Sequence, residues 1–327
     1  MVRGTVWIAN EHGDSLAAID AATNKTVATV SGVETPHNLQ VAPDGKTVWA
    51  VSGHAALAVA IDTATYRLHG TAPTGKEPAH VVLTLDGRTV YVTNGGDNTV
   101  TAIDAATLQV LATIPVGSYP HGLRPSPDGR WLYVANAKGT TLSVIDVASN
   151  TRVAGVEVGR SPVQVGFSPD GKLVYASLNA ENALVKVDVA TRQVSGKIEV
   201  GGGPIQVYVT PDNRYVLVAN QGTKAQPSTT LSIVDTASFA VVGTVETGRG
   251  AHGVVVDPSS RHAYVTNIYG NNVAVVDLAE RKVIATIPSG AEPNGVSFSP
   301  LAPAPVRGGK VKIELPHSDD RSTVGGH

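Results

Sequence analysis

One repeat limits what this chain can fold into more than any other feature. The segment Val6-Trp7-Ile8-Ala9-Asn10 returns as Val48–Ser52, Val90–Asn94, Leu132–Asn136, Val174–Leu178, Val216–Asn220 and Ala263–Asn267. The first five intervals are 42 residues and the sixth is 47. Self-similarity at such a period signals an array of identical supersecondary units, each unable to bury its apolar face alone.

Every unit has the same internal grammar. A turn of the type Pro43-Asp44-Gly45, Pro127-Asp128-Gly129 or Pro169-Asp170-Gly171 precedes the strand pattern that ends in Asn. An alternating stretch ending in Asp follows, as in Leu142-Ser143-Val144-Ile145-Asp146, then Asp104-Ala105-Ala106-Thr107 or its relatives, then a strand such as Val110–Val116. Period-two alternation with Val, Ile, Thr and Tyr, punctuated by Gly, Pro, Asp and Asn, marks short antiparallel strands. No segment carries a helical period. Four short strands per unit of about 42 residues make one propeller blade, so seven units predict an all-β, seven-bladed β-propeller of four-stranded antiparallel blades.

Tyr91-Val92-Thr93-Asn94 and Tyr264-Val265-Thr266-Asn267 resemble the signature of the YVTN-repeat propeller family. The resemblance runs over roughly residues 4–300. It implies the fold strongly and the activity weakly, because that family and its kin include binding proteins, lactonase-like enzymes and redox proteins.

The ends predict how the ring closes. The chain starts on the second strand of a blade, and Pro293-Asn294-Gly295-Val296-Ser297-Phe298-Ser299-Pro300 matches Pro120-His121-Gly122-Leu123. Residues 293–300 are therefore expected to be the missing innermost strand of blade 1, a velcro closure that leaves no free sheet edge. This gives one propeller over 1–300 and a tail over 301–327. Within the tail, Lys310–Leu315 could add one short strand, and Ser318–His327 is expected to fray.

Composition excludes several classes. Apolar residues reach 42% against 16% charged, enough for a large core, and a net charge of −2 offers no basic stripe for nucleic acid. Cysteine is absent, which removes disulfides, thiolate metal sites and thiol nucleophiles. No apolar run is long enough to span a membrane. Met1-Val2-Arg3-Gly4 enters a strand pattern at once, without an export signal, and the mature form of an exported protein would read the same, so the compartment stays open. A monomer is expected.

If the fold is as the resemblance implies, strands run from innermost A to outermost D, and the D-to-A connections share a face with the B-to-C loops around the channel mouth. At the first A-strand position after Pro, or after its equivalent Ala251, blades 1 to 7 carry Asn294, His37, Ala79, His121, Val163, Ile205 and His252. The next position carries Gly295, Asn38, His80, Gly122, Gln164, Gln206 and Gly253. Each blade thus offers one His, Gln or Asn to the rim. Four of the ten histidines gather there: His37, His80, His121 and His252.

Neutral imidazole is a good ligand for divalent transition metals, so these four are candidate ligands for Cu, Fe, Zn or Ni. The arrangement is similar to the histidine centres that some seven-bladed propeller enzymes, such as carotenoid-cleaving oxygenases, hold on their axis. Strand parity qualifies the set, because His80, Gln164 and Gln206 alternate against His37, His121 and His252. That makes the latter three the expected core of the site, with His80 lower or turned away. Metal affinity is expected to fall as pH drops through about 6.5, where imidazole protonates.

Asn294, Gln164, Gln206 and Gln40 are expected to line a ligand pocket, joined by His12 and His54 from the B-to-C loops, where Glu11 lies on the same face. Arg124 and Tyr208, deeper in the channel, are candidate catalytic groups, the arginine as an anchor for a carboxylate. Blade 6 alone has a longer loop, Gln221–Ser228, expected to serve the same face. The aspartates ending the C strands (Asp20, Asp62, Asp104, Asp146, Asp188, Asp235, Asp277) recur in every blade and read as turn caps.

These residues favour a metal-dependent enzyme acting on a small molecule at the top face. A non-catalytic propeller that grips a ligand or protein is the main alternative. A lactonase- or lyase-like enzyme is the other, and a rim without Asp or Glu counts against it.

Overall fold

The computed structural model describes residues 2–316. The segment expected to fray, Ser318–His327, lies outside them. Seven antiparallel sheets follow one another in cyclic order, with no α-helix among the described residues. Blade 4 shows the pattern: Pro120–Pro125 innermost, then Trp131–Asn136, Thr141–Asp146 and Thr151–Glu157.

Blade 1 closes as the sequence predicts. Pro293–Ser299 pairs with Thr5–Asn10, in a register that sets Thr5 opposite Ser299 and Ile8 opposite Val296. The tail adds a fifth strand. Lys310–Lys312 runs parallel to Lys25–Ser31 on the outer edge of blade 1, and Ile313 enters the core. Tyr66 Oη donates to Ala304 O at 2.9 Å and Thr5 Oγ1 to Leu301 O at 2.8 Å, so the tail is stitched across blades 1 and 2. The extra strand was legible as Lys310–Leu315 but is shorter, ending at Lys312.

The core is a set of seven interfaces between blades. Alternation along Val6-Trp7-Ile8-Ala9 sends Trp7 and Ala9 toward blade 2, while Val6 and Ile8 face blade 7. The bulky second residue of the repeat (Trp7, Trp49, Tyr91, Tyr133, Tyr175, Tyr264) is buried at 0–2% exposure and packs on the next blade. An aromatic ring buries roughly 150–250 Å². These rings therefore set blade-to-blade spacing, and blade 6 manages with Leu217.

The C-strand aspartates cap turns as expected. Asp104 Oδ1 accepts from Ala106 N, Thr107 N and Thr107 Oγ1 at 2.7–3.0 Å, and Asp188 and Asp235 do the same with Thr191 and Ser238. Those hydrogen bonds hold the carboxyl groups below the usual carboxylate range.

Deleting residues 293–327 strips blade 1 of its innermost strand and bares two sheet edges, so the product is expected to aggregate on size-exclusion chromatography. Deleting only 317–327 is expected to leave the melting temperature unchanged. Ile313→Ala is expected to cost about 2 kcal/mol in denaturant unfolding, the low end for a buried aliphatic.

Candidate metal centre

Each rim side chain is aimed by one repeated device. The residue before the proline (or Ala251) that opens each A strand takes a left-handed backbone in every blade: Thr35, Glu77, Tyr119, Ser161, Gly203, Gly250 and Glu292, with φ between 44° and 72°. For a residue with a Cβ this conformation costs about 1–2 kcal/mol. Side chains of the B-to-C loop hold it in place. Thr35 N donates to Asp14 Oδ1, Tyr119 N to Asn98 Oδ1 and Glu292 N to Asn271 Oδ1, all at 2.8–2.9 Å. The repeat asparagine clamps the same connection: Gly75 N, Gly117 N and Gly290 N donate to the Oδ1 of Asn94, Asn136 and Asn10.

A β-bulge follows immediately. Pairing between the A and B strands shifts by one residue between Pro78 and Val81, Pro120 and Leu123, and Ala251 and Val254. This bulge overturns the parity argument, because two residues oppose fewer on the partner strand and alternation is lost there. First- and second-position side chains can therefore share the rim, and His80 is the most enclosed of the trio it forms with His37 and His121. The ligand-capable nitrogens of His37, His80 and His121 lie within 4.8 Å of one another. His252, expected in the core of the site, lies outside that trio with its ring centroid 5.9 Å from that of His37.

The repeat threonine contributes where it is present. Thr93 Oγ1 accepts from His80 N at 3.0 Å and donates to His121 O at 2.7 Å, tying the bulge of blade 3 to the rim of blade 4. Thr266 links Gly253 N to Asn294 O in the same way, and Ser177 links Gln164 N to Ile205 O. Glycine at the second position is a matter of space: a Cβ on Gly122 would lie 2.2 Å from Gln164 Oε1.

His37 and His121 face each other with Nε2 atoms 3.1 Å apart. Val163 O can only accept, so His121 Nδ1 donates to it at 3.2 Å and leaves the Nε2 lone pair of the neutral ring facing His37. On the far side of His37, Nδ1 lies 3.3 Å from Glu11 Oε2 and 2.9 Å from Asn294 Nδ2. Asn294 Nδ2 also donates to Glu11 Oε2 at 2.5 Å. When His37 Nδ1–H points at the carboxylate, two Nε2 lone pairs meet, and a cation or a proton must lie between them. His80 is backed by a relay in which Gln164 Nε2 reaches His80 Nδ1 at 3.3 Å and Gln206 Oε1 at 3.2 Å. Its Nε2 is buried with no hydrogen-bond partner, as is Nδ1 of His252.

Glu11 contradicts the expectation of a rim without carboxylates. Its loop folds over the channel mouth because Glu11 N donates to Glu292 O at 3.0 Å. A sequence signal existed: the residue after the repeat Asn or its equivalent is acidic only here, where other blades have Gly53, Gly95, Ala137, Asn179, Gln221 and Ile268. Of the loop histidines, His12 pairs with Glu292 Oε2 at 2.7 Å, away from the cluster, and His54 is exposed. The expected long loop of blade 6 is a hairpin extending the strands Tyr215–Gly222 and Pro227–Asp235, and Lys224 Nζ reaches Glu292 Oε1 at 3.1 Å. Arg124, Tyr208 and Gln40 sit apart from the histidines, around a cavity toward the other end of the channel.

Burial lowers the pKa of His80 well below 6.5 and brings His121 and His252 down to about 3, with neighbouring histidine charges adding to the effect. Glu11 falls to about 2, because hydrogen bonds and charge from His37, with Asn294, outweigh the upward push of its burial. The imidazoles of His80, His121 and His252 are thus unprotonated far below pH 6.5. The expected loss of metal through that pH is corrected downward for His80 and His121.

The fold and the cluster define a seven-bladed propeller with an imidazole-lined channel mouth. Residues 48–302 match the YNCE-like β-propeller family, and the chain belongs to it. Among solved structures it is similar to hydrazine synthase of Kuenenia stuttgartiensis, at 23% identity over 81% of this chain and 90% of that one, with a TM-score of 0.74. A protein of Bacteroides fragilis provisionally described as a 6-phosphogluconolactonase shares 17% identity over 90% and 97%, with a TM-score of 0.76. Dihydro-heme d1 dehydrogenase shares 15% over 90% and 74%, with a TM-score of 0.67. At these identities the likeness is one of fold. No curated protein matches the chain. No helix among the described residues is long and apolar enough to cross a membrane.

The pH dependence of stability has a definite sign. Below about pH 6.5, and down to about pH 3 for His121 and His252, the unfolded chain binds protons at His80, His121 and His252 that the folded chain refuses, so stability falls as pH falls through this window. Glu11 adds in the same direction between about 4.5 and 2. In chelator-treated protein the slope of unfolding free energy against pH is expected to reach up to about 1.4 kcal/mol per pH unit for each such histidine. His80→Gln is expected to flatten it, measured by urea unfolding at pH 7, 6 and 5.

Proposed function

We propose that the channel mouth holds one divalent transition metal on His37, His80 and His121, and that the protein is a metal-dependent enzyme for a small molecule bound there. The observation that carries the reading is the 3.1 Å approach of two imidazole Nε2 atoms whose far sides are backed by Glu11 and by Val163 O. Two nitrogens bound at 2.0–2.1 Å in a tetrahedral site lie about 3.3–3.4 Å apart. A few tenths of an ångström of ring movement reaches that spacing. A carboxylate or carbonyl accepting from the outer ring nitrogen is the usual support for a metal-bound histidine.

His80 becomes the third ligand once Gln164 turns its amide oxygen toward Nδ1, which frees the buried Nε2. His252, Asn294, Gln164 and Gln206 are neutral neighbours of these three, and none of them would cancel the charge of a bound ion. A divalent ion there supplies Lewis acidity toward water or a polarised substrate. Glu11 and Asn294 orient His37 and offer polar contacts to the substrate on the more open side, where His37 and Glu11 side chains are 21% and 25% exposed. Imidazole alone does not choose among Cu, Fe, Zn and Ni. Glu11 gives the lactonase-like alternative the carboxylate it lacked, but one beside three imidazoles still favours a histidine-bound metal.

Elemental analysis of protein purified without a histidine tag is expected to find close to one transition metal per chain. His121→Ala is expected to lose most of it with an unchanged circular dichroism spectrum. Metal release on acidification is expected below pH 6.5, since protons compete poorly for buried imidazoles. Protein that holds no metal as purified, and takes up none of Zn, Cu, Fe or Ni, overturns the proposal and leaves a ligand-binding propeller.

A further inference from the structure

The opposite end of the channel carries different chemistry. One turn of strand beyond the rim, the A strands place Gln40, Arg124, Tyr208 and Ser297 around the axis, next to Val82 and Val255. They border a cavity of about 500 Å³ whose outer walls are Pro43, Leu85, Pro211, Pro258, Phe298 and Pro300. Most of those prolines belong to the A-to-B turns, so the repeat itself makes this mouth apolar.

Among the described residues, Arg124 is the single cation lining the cavity. Its hydrogen-bond partner is a neutral amide, Gln40 Oε1 at 3.2 Å, and Gln40 is fixed in turn by Nε2 donating to Ser297 Oγ at 3.3 Å. No carboxylate among the described residues forms an ion pair with it. A partly buried guanidinium keeps its charge and needs an anion or water against its remaining N–H groups. Tyr208 lines the same space, and burial raises its pKa, so its hydroxyl stays protonated and can donate.

We propose that this second mouth is a binding site for a small carboxylate with an apolar body, independent of the histidine cluster. Arg124 takes the carboxylate, Tyr208 donates to it, and the body lies along Leu85, Phe298 and the prolines. One guanidinium matches the single charge of a carboxylate. A phosphate dianion would meet one cation and an apolar funnel, which is a poor match.

Hexanoate is a suitable probe, with hexan-1-ol as its uncharged counterpart, in calorimetric titration of the full chain. Hexanoate is expected to bind saturably and hexan-1-ol at least about tenfold more weakly, as befits a charge-assisted pair. Arg124→Gln is expected to weaken hexanoate at least tenfold, and His121→Ala to leave it unchanged. Tyr208→Phe, which removes only a hydroxyl, is expected to weaken it several-fold and keeps the test decisive if Arg124→Gln does not fold. The proposal fails if hexanoate does not saturate, if hexan-1-ol binds as well, or if the loss follows His121→Ala instead of Arg124→Gln or Tyr208→Phe.

Discussion

The pairing of Thr5–Ile8 with Val296–Ser299 is the contact on which the rest of the molecule depends. Every blade packs one face on each neighbour, so an open array would expose two apolar faces as well as unpaired strand edges. Joining the chain's two ends within one sheet makes each interface equivalent in kind. It also sets Asn294 beside Glu11, residues 283 apart in sequence and 2.5 Å apart in space. The closure is thus a structural seam and a wall of the candidate metal centre together. The tail reinforces the seam from outside, through Lys310–Lys312 and Ile313.

Much of this was legible because a propeller repeats its instructions seven times. Blade number, strand order, the closing strand and the turn-capping aspartates all follow from spacing and local chemistry, which each unit states independently. The rim positions were legible too, since the D-to-A turn recurs. Orientation at the rim was not. Counting alternation from Val81 and Leu83 separates His80 from the first-position histidines, whereas the one-residue bulge after the opening Pro or Ala lets both positions face the rim. A bulge depends on pairing with another strand, and nothing in Pro78-Ala79-His80 announces it. Glu11 was legible on the face of the rim but not as a member of it: its partner His37 is supplied by the next blade, and a loop residue's reach across blades is a tertiary fact.

The clamps that make the rim exact in position also limit what it can do. Left-handed residues, bulges and threonine bridges are stabilised by the hydrogen bonds around them, and the left-handed position recurs in all seven blades. The buried imidazoles of His80, His121 and His252 stay neutral, and His80 Nε2 and His252 Nδ1 have no hydrogen-bond partner. The cluster thus keeps unpartnered polar atoms inside the fold, unlike the seven capped aspartates, whose bonds are complete within each turn. Asymmetry of this kind is where chemistry is to be sought in a repeat protein, since what recurs in every blade serves the ring.

The same test applies along the axis. At the level of Arg124 the other blades contribute Gln40, Val82, Gly166, Tyr208, Val255 and Ser297, with no two neighbours alike. A structural layer would repeat a small apolar residue, as the interface positions do with Val and Ala. Instead, a glycine adjoins the blade that carries the guanidinium, and Gln40, fixed by Ser297, holds that guanidinium on its other side. Arg124 sits close enough to His80 for its charge to help keep that imidazole neutral.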